Sequence, residues 1–172
     1  MKAFAIDAFD FSRAKEQREG ELALADLPRL VEECADSSGV LRWSVSGGTH
    51  ESGHLQLFVT VDGVVRLFCQ RCLKAFDFDL SSASTLILAK DEDGADHVEQ
   101  MLDDESLDVI VGSKEMNLRD LVEDEALLAI PQSPKHADCS VDAAAMTWQQ
   151  SGEPEPIVVK PSPFAILKDL KH

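Results

Sequence analysis

The sequence has no run of apolar residues approaching the roughly 18 that a transmembrane helix needs, so it predicts no membrane span. Its first residues, 1–7, lack the long apolar core and the cleavage signature of a secretion signal. A P-loop, a G-x-S-x-G elbow and an H-E-x-x-H helix motif are also missing. We therefore expect a cytoplasmic protein that is not an enzyme.

Basic residues are scarce: 16 Lys and Arg stand against 32 Asp and Glu, which gives a formal net charge of −16 over 172 residues. Binding to phosphate backbones depends on clustered Lys and Arg, so this balance argues against a generic nucleic-acid binder, and no DNA is expected as a partner. The same charge favours a basic protein partner.

The four cysteines occur in a chain without a secretion signal, which favours a reducing cytoplasm over a disulfide framework. Cys69 and Cys72 form a C-x2-C clip, and His136 and Cys139 form an H-x2-C clip. Two such clips can place four soft ligands tetrahedrally, so they predict a closed Zn²⁺ site. The alternatives are a redox dithiol and two cysteines that merely pack. Cys34 is expected to be a small buried hydrophobe.

Apolar and polar residues alternate with the period of β-strands between Gly39 and Ala89. Gly47-Gly48 and Asp62-Gly63 have the composition of two-residue hairpin turns. The pattern predicts short strands over residues 40–46, 54–61, 64–68, 75–80, 85–89 and 107–111. Residues 2–11 are compatible with an edge strand and 21–24 with a short strand, and Asp26 is expected to cap a short helix.

The clearest helix covers residues 118–130, with Asn117 as its N-cap. Glu125 falls within the apolar stripe of this helix, where a buried carboxylate requires a partner. We expect Arg71 to pair with it; the alternative is that Glu125 lies at the edge of the stripe and reaches solvent.

Two charged stretches have alternative interpretations. Residues 91–108 contain nine acids and no Lys or Arg, as in a solvated loop or in an acidic patch for a basic partner. Residues 64–76 carry Arg66, Arg71 and Lys74 and no acid. With nearby phenylalanines they form either a small RNA-binding patch or a few charges on a strand face.

These elements predict an α+β fold: a curved antiparallel β-meander, partly barrel-like, packed by one main helix and followed by an extended C-terminal tail. Residues 1–148 would form a single domain. Residues 149–172 would form a proline-rich linker and a short docking tail.

Three blocks of the sequence resemble the YceD family, the large ribosomal RNA subunit accumulation proteins, over almost the whole chain. The blocks are C-Q-R-C at 69–72, L-V-E-D-E at 121–125 with L-L-A-I-P at 127–131 and then His136 and Cys139, and P-S-P-F-A-I-L at 161–167.

The resemblance implies a bacterial factor that supports synthesis, processing or accumulation of 23S ribosomal RNA, without an established catalytic activity. Its partner would be a ribosome assembly factor or a basic ribosomal protein, or alternatively ribosomal RNA. The candidate partner-binding residues are Arg66, Arg71, Lys74, Glu123, Asp124 and Glu125. The rival function is a thiol redox protein that uses Cys69 and Cys72; no helix start is predicted there to activate a thiol.

Overall fold

A computed structural model gives the fold, and the structure describes residues 4–102, 107–137 and 139. The elements are, in chain order, β1 (Ala5–Ile6), α1 (Ala8–Ala14), β2 (Gln17–Ala23), a 3-10 turn (Leu24–Asp26), α2 (Pro28–Glu33), β3 (Val40–Thr49), β4 (Leu55–Phe68), β5 (Ala75–Ala89), α3 (Glu92–Leu102), β6 (Asp108–Val111), β7 (Met116–Asn117) and α4 (Leu118–Ala129).

The main sheet has the strand order β2-β3-β4-β5-β6, and β1 and β7 form a separate two-stranded ladder. Strands β2 to β5 are an antiparallel meander, whereas β6 runs parallel to β5. The predicted α+β class and meander are therefore confirmed. The described residues form no closed barrel, and they contain four α-helices instead of one main helix.

Both predicted glycine turns are wrong, because Gly47-Gly48 lies inside β3 and Asp62-Gly63 lies inside β4. These glycines permit close approach. A Cβ on Gly47 would lie 2.6 Å from the carbonyl oxygen of Phe11 in α1, and a Cβ on Gly63 would lie 2.5 Å from Leu41 Cδ2. The chain reverses between β3 and β4 at residues 50–54, where Gly53 takes a φ of +84°.

The core lies on one face of the sheet, where the odd-numbered residues of β4 are buried. Leu57, Val59, Val61, Val65 and Leu67 are all fully buried. This alternation continues without a phase change through Gly63, as it must in one continuous strand. Helices α1 and α4 pack against the sheet and contribute Phe11, Leu118, Val122 and Ala126 to the same core.

The acidic stretch predicted as a loop contains a helix, α3. Asp91 accepts a 2.8 Å hydrogen bond from the backbone N–H of Gly94, and Glu92 and Asp93 lie in the first turn, where the helix dipole favours acids. Ala95 and Val98 are buried, so two apolar side chains hold an otherwise acidic helix to the body.

The N-terminal strand predicted over residues 2–11 is mostly wrong, because only Ala5–Ile6 is a strand. Asp7 caps α1 by accepting hydrogen bonds from the backbone N–H groups of Phe9 and Asp10, at 3.0 and 3.1 Å. The predicted short helix near Pro28 is present as α2, but Asp26 does not cap it. Its N-cap residue is Leu27, which has no side-chain acceptor.

The described residues lie within one compact unit, Met1–Cys139. Among them no helix is both long and apolar enough to cross a membrane. The predicted domain boundary after residue 148 and the predicted tail of 149–172 lie outside the described residues.

Candidate metal centre

The first clip forms where β4 ends. The odd-numbered residues of β4 face the core, so Cys69, one residue beyond the strand, continues on the buried side. The backbone N–H of Cys69 donates to the carbonyl of Lys74 at 2.9 Å, and the N–H of Leu73 donates to the carbonyl of Cys69 at 2.8 Å. This tight turn brings Cys72 back beside Cys69 before β5 begins at Ala75.

The second clip lies in the segment that follows α4. Pro131 and Pro134 restrict the backbone of this segment. The carbonyl of Pro134 accepts a 2.9 Å hydrogen bond from the backbone N–H of Gln70, inside the first clip. Two loops far apart in sequence are thus joined, and His136 and Cys139 face the first two cysteines.

The structure brings together all four predicted ligands. One ligand atom from each of Cys69, Cys72, His136 and Cys139 lies within 4.8 Å of all the others. The sulfurs of Cys69 and Cys139 are 3.7 Å apart, and Sγ of Cys72 is 3.9 Å from Nε2 of His136. Tetrahedral ligation with metal–sulfur bonds of about 2.3 Å separates two sulfurs by about 3.8 Å. The cluster can therefore hold a metal ion.

Two of the three thiols in the cluster have shifted pKa values. Burial raises the pKa of Cys69, but backbone N–H groups of Cys72, Arg71 and His136 hydrogen bond to its sulfur, and the resulting pKa is lowered to about 6. Burial raises the pKa of Cys139 to about 11, and the sulfurs of Cys69 and Cys72 add to this rise. A bound cation would relieve the repulsion between neighbouring thiolates.

The surroundings shield the cluster without closing it. Cys69 and Cys139 are buried, whereas Cys72 and His136 are half-buried. The ring of Phe76 lies against the His136 ring, with 5.5 Å between the ring centroids. Cys34 lies outside the cluster, at the edge of the hydrophobic core, as predicted for a small buried hydrophobe.

The thiol redox hypothesis finds no support in this geometry. Cys69 is fully buried, so an external disulfide cannot reach its sulfur. The Cys69 clip follows a strand and precedes a strand, without a helix N-terminus that would mark a reactive C-x-x-C.

The cationic candidates for partner binding are exposed near the first clip. Arg66 is engaged within the fold, with 3.0 Å to a carboxylate oxygen of Asp36 and 3.4 Å to one of Asp77. Arg71 and Lys74 have no ion pair with any described residue. Contact of these residues with a partner stays a prediction.

Glu123 and Asp124 hold α2 against α4. Glu123 is 3% exposed and accepts hydrogen bonds from the backbone N–H groups of Arg29 and Leu30, at 2.7 and 3.1 Å, and from Arg29 Nε at 2.9 Å. It therefore supplies the cap that Leu27 cannot give α2. Asp124 is exposed and lies 2.5 Å from the guanidinium of Arg29.

The predicted pairing of Glu125 with Arg71 is wrong, although Glu125 is buried as that prediction required. Its carboxylate accepts hydrogen bonds from the hydroxyl groups of Ser82 and Ser84 on β5. Two neutral donors in place of a cation satisfy the buried oxygen. The burial of Glu123 and Glu125 gives both residues contacts inside the fold, whereas their partner-binding role stays a prediction.

Three contact residues were missed in the sequence: Arg29, Ser82 and Ser84. The sequence did contain a signal for the two serines. In β5 the even-numbered residues Leu80 and Leu86 face the core, and the serines, which are also even-numbered, therefore lie on the same side of the strand. A hydroxyl on the core-facing side of a strand requires a hydrogen-bond partner there. No comparable signal in the sequence marks Arg29 as the partner of an acid in α4.

Comparison with known proteins identifies a family match over the part of the chain that contains this cluster. A family model described as "Large ribosomal RNA subunit accumulation protein YceD" matches residues 57–171, which include all four candidate ligands. A Haemophilus influenzae protein with that same name is 31% identical over 108 residues, which cover 63% of this chain and 60% of the relative's length. No solved protein structure matches the chain.

Proposed function

The chain belongs to the YceD family, and on that basis we propose that it is a non-enzymatic bacterial factor that supports accumulation of 23S ribosomal RNA in the cytoplasm. The observation that carries this proposal is the family match over residues 57–171, which spans the cysteine cluster, β5 and α4. The name of the Haemophilus influenzae relative points to the same process.

The proposed resident metal is zinc, held by Cys69, Cys72, His136 and Cys139. Three thiolates and one imidazole suit zinc, and a four-ligand protein site is typical of a structural ion. Bound zinc would supply structural stabilisation. The residues around it support this role, since the clips tie the end of β4 to the segment after α4.

The proposed mode of action is binding to a basic protein of the ribosome or of its assembly pathway. The net charge of −16 disfavours association with RNA and favours association with a cationic protein. Helix α3 carries four exposed acids, Glu92, Asp93, Asp96 and Glu99, and no cation.

A complementation experiment tests the function. A bacterial strain that lacks its own family member would receive the full chain, and the ratio of 23S to 16S ribosomal RNA would be measured. We expect the wild-type chain to restore the ratio, His136→Ala to fail, and His54→Ala to succeed as a matched control, because His54 lies outside the cluster. No restoration by the wild-type chain, despite normal expression, would contradict the proposal.

A pull-down with and without nuclease tests the kind of partner. Partners that persist after nuclease treatment support protein binding, and partners that are lost support RNA. Replacing the four exposed acids of α3 by Asn or Gln should slow association with a basic ribosomal-protein fraction, because long-range attraction weakens. If this variant binds ribosomal RNA more tightly and the protein fraction equally well, the basic-partner proposal fails.

A further inference from the structure

A groove of about 450 Å³ lies between α2, the end of β4 and the segment after α4. Its apolar lining includes Cys34, Phe68, Leu127, Ile130 and Pro134. Phe68 is 52% exposed, which leaves much of an aromatic ring open to solvent at this place. A groove of mixed polarity that exposes an aromatic side chain beside other apolar residues can receive an apolar side chain of another molecule.

The charges on the groove have one sign. Glu32 and Glu33, at the end of α2, belong to its lining, which contains no Lys or Arg. Neither carboxylate has an ion pair with a described residue. Both acids are therefore free to receive cations from outside the groove.

The metal centre supports the walls of this groove. Gln70 and Pro134 both line it, and the hydrogen bond between them also joins the two metal clips. The groove therefore lies on a surface whose two sides are fixed to each other, which lowers the entropic cost of binding.

We propose that this groove docks a segment of a partner protein in which an apolar side chain is flanked by Lys or Arg. This inference rests on the proposed function and names the surface through which it acts. The apolar anchor would contact Phe68 and Leu127, and the cations would pair with Glu32 and Glu33. A nucleic acid is disfavoured as the occupant, because its phosphates would be repelled by these two acids. A second copy of the chain is disfavoured as well, because each copy carries a net charge of −16.

The test measures fluorescence anisotropy of a labelled synthetic peptide with the full chain. The peptide alternates pairs of leucine and lysine, and a control peptide carries glutamate in place of every lysine. We expect binding of the first peptide that weakens as salt rises, and no binding of the second. A labelled single-stranded RNA serves as a further probe.

Two matched pairs of variants locate the binding. Phe68→Ser should weaken peptide binding roughly tenfold or more, whereas Phe58→Ser should leave it unchanged, because Phe58 is a 39% exposed phenylalanine of the same strand outside the groove.

Glu32→Gln with Glu33→Gln should weaken binding several-fold. Glu19→Gln with Glu21→Gln changes the net charge equally and should have less effect, since these acids lie on β2.

Several outcomes would overturn the proposal. They are absence of peptide binding, equal effects of the groove and control variants, RNA binding that depends on Phe68, and self-association in analytical ultracentrifugation that Phe68→Ser abolishes. Circular dichroism checks that every variant is folded. Normal 23S ribosomal RNA in cells that carry Phe68→Ser would refute the groove and leave the proposed function intact. Failure of the wild-type chain to complement would refute the function itself.

Discussion

Ser84 on β5 donates a 2.6 Å hydrogen bond to Oε1 of Glu125 on α4, and Ser82 donates to the same oxygen. These contacts place a carboxylate between a helix and a sheet without any cation beside it among the described residues. The packing of α4 on β5 thus depends partly on hydrogen bonds from two hydroxyl groups.

Removing the Glu125 carboxylate should destabilise the protein. Glu125→Ala leaves two serine hydroxyls without their acceptor, so we expect the free energy of unfolding to fall by about 2–3 kcal/mol. Glu125→Gln should cost less, because the amide oxygen can still accept. Urea titration measures both values. In a double-mutant cycle, Ser84→Ala should show coupling with Glu125→Ala, and Arg71→Ala should show none; coupling to Arg71 alone would contradict this arrangement.

Glu123 should matter more than its exposed neighbour Asp124. Glu123→Ala removes the cap of α2 and three hydrogen bonds to a buried carboxylate, so we expect a loss of about 2–4 kcal/mol. Asp124→Ala removes only an exposed ion pair and should cost less than about 1 kcal/mol. Hydrogen exchange at the amides of Arg29 and Leu30 provides a local measurement. Equal losses from the two variants would contradict the capping role.

The sequence predicted the features that depend on local pattern. The helix capped by Asn117, the strand near residue 108 and the four-ligand cluster follow from spacing and side-chain type, and the structure contains all three. In α4 the prediction was one residue too long, because the helix ends at Ala129.

The wrong predictions concern residues whose role is set by distant partners. Gly63 resembles a turn residue, yet Leu41 on the neighbouring strand requires its small size. The apolar phase of Val61, Val65 and Leu67 could have identified one long strand, since a two-residue turn would have placed Arg66 on the core side. The contact of Glu123 with Arg29 links residues 94 positions apart, and no local pattern specifies it.

Zinc content should follow the four ligands. We expect about one zinc per chain in untagged protein purified without chelator. Cys72→Ser and His136→Ala should lower zinc content, and Cys34→Ser should not. Structural zinc can contribute on the order of ten kcal/mol to folding, so a chelator should lower the unfolding temperature strongly. A metal-free chain with unchanged unfolding temperature would contradict a structural zinc site.

In metal-free protein that is still folded by circular dichroism, one thiol should be unusually acidic. The pKa of Cys69 is lowered to about 6 from an ordinary value near 9, so its thiolate should appear in the ultraviolet absorbance as pH rises through about 6. The folded state therefore loses this proton at a lower pH than the unfolded state. The contribution of Cys69 to the free energy of unfolding is complete above about pH 9, and it is lost as the pH falls towards 6. Cys69→Ser should lack the titration. Thiolates that all appear near pH 9 would contradict the lowered pKa.

Leu73 should be replaceable by glycine with a gain in stability. Its φ of +61° lies in the left-handed region, which disfavours side chains with a Cβ, and its side chain is 77% exposed. Leu73→Gly relieves this strain, but glycine also increases the conformational entropy of the unfolded chain, which offsets part of the benefit. We expect the free energy of unfolding to rise by about 0.5–1 kcal/mol. Thermal unfolding measures it. Lys74→Gly is the control in the same turn, and it should destabilise because its φ is not positive.

The separation of the two clips has a consequence for the order of events during protein synthesis. Cys69 and Cys139 are 70 residues apart, so at about 5–20 residues per second the ribosome makes the second clip roughly 4–14 s after the first. During that interval the nascent chain has only two of its four ligands, so any association of β2 to β5 at this stage takes place without a closed metal centre. A chain released before residue 139 would never complete the site, and it would carry an open cysteine pair at the end of its longest hairpin.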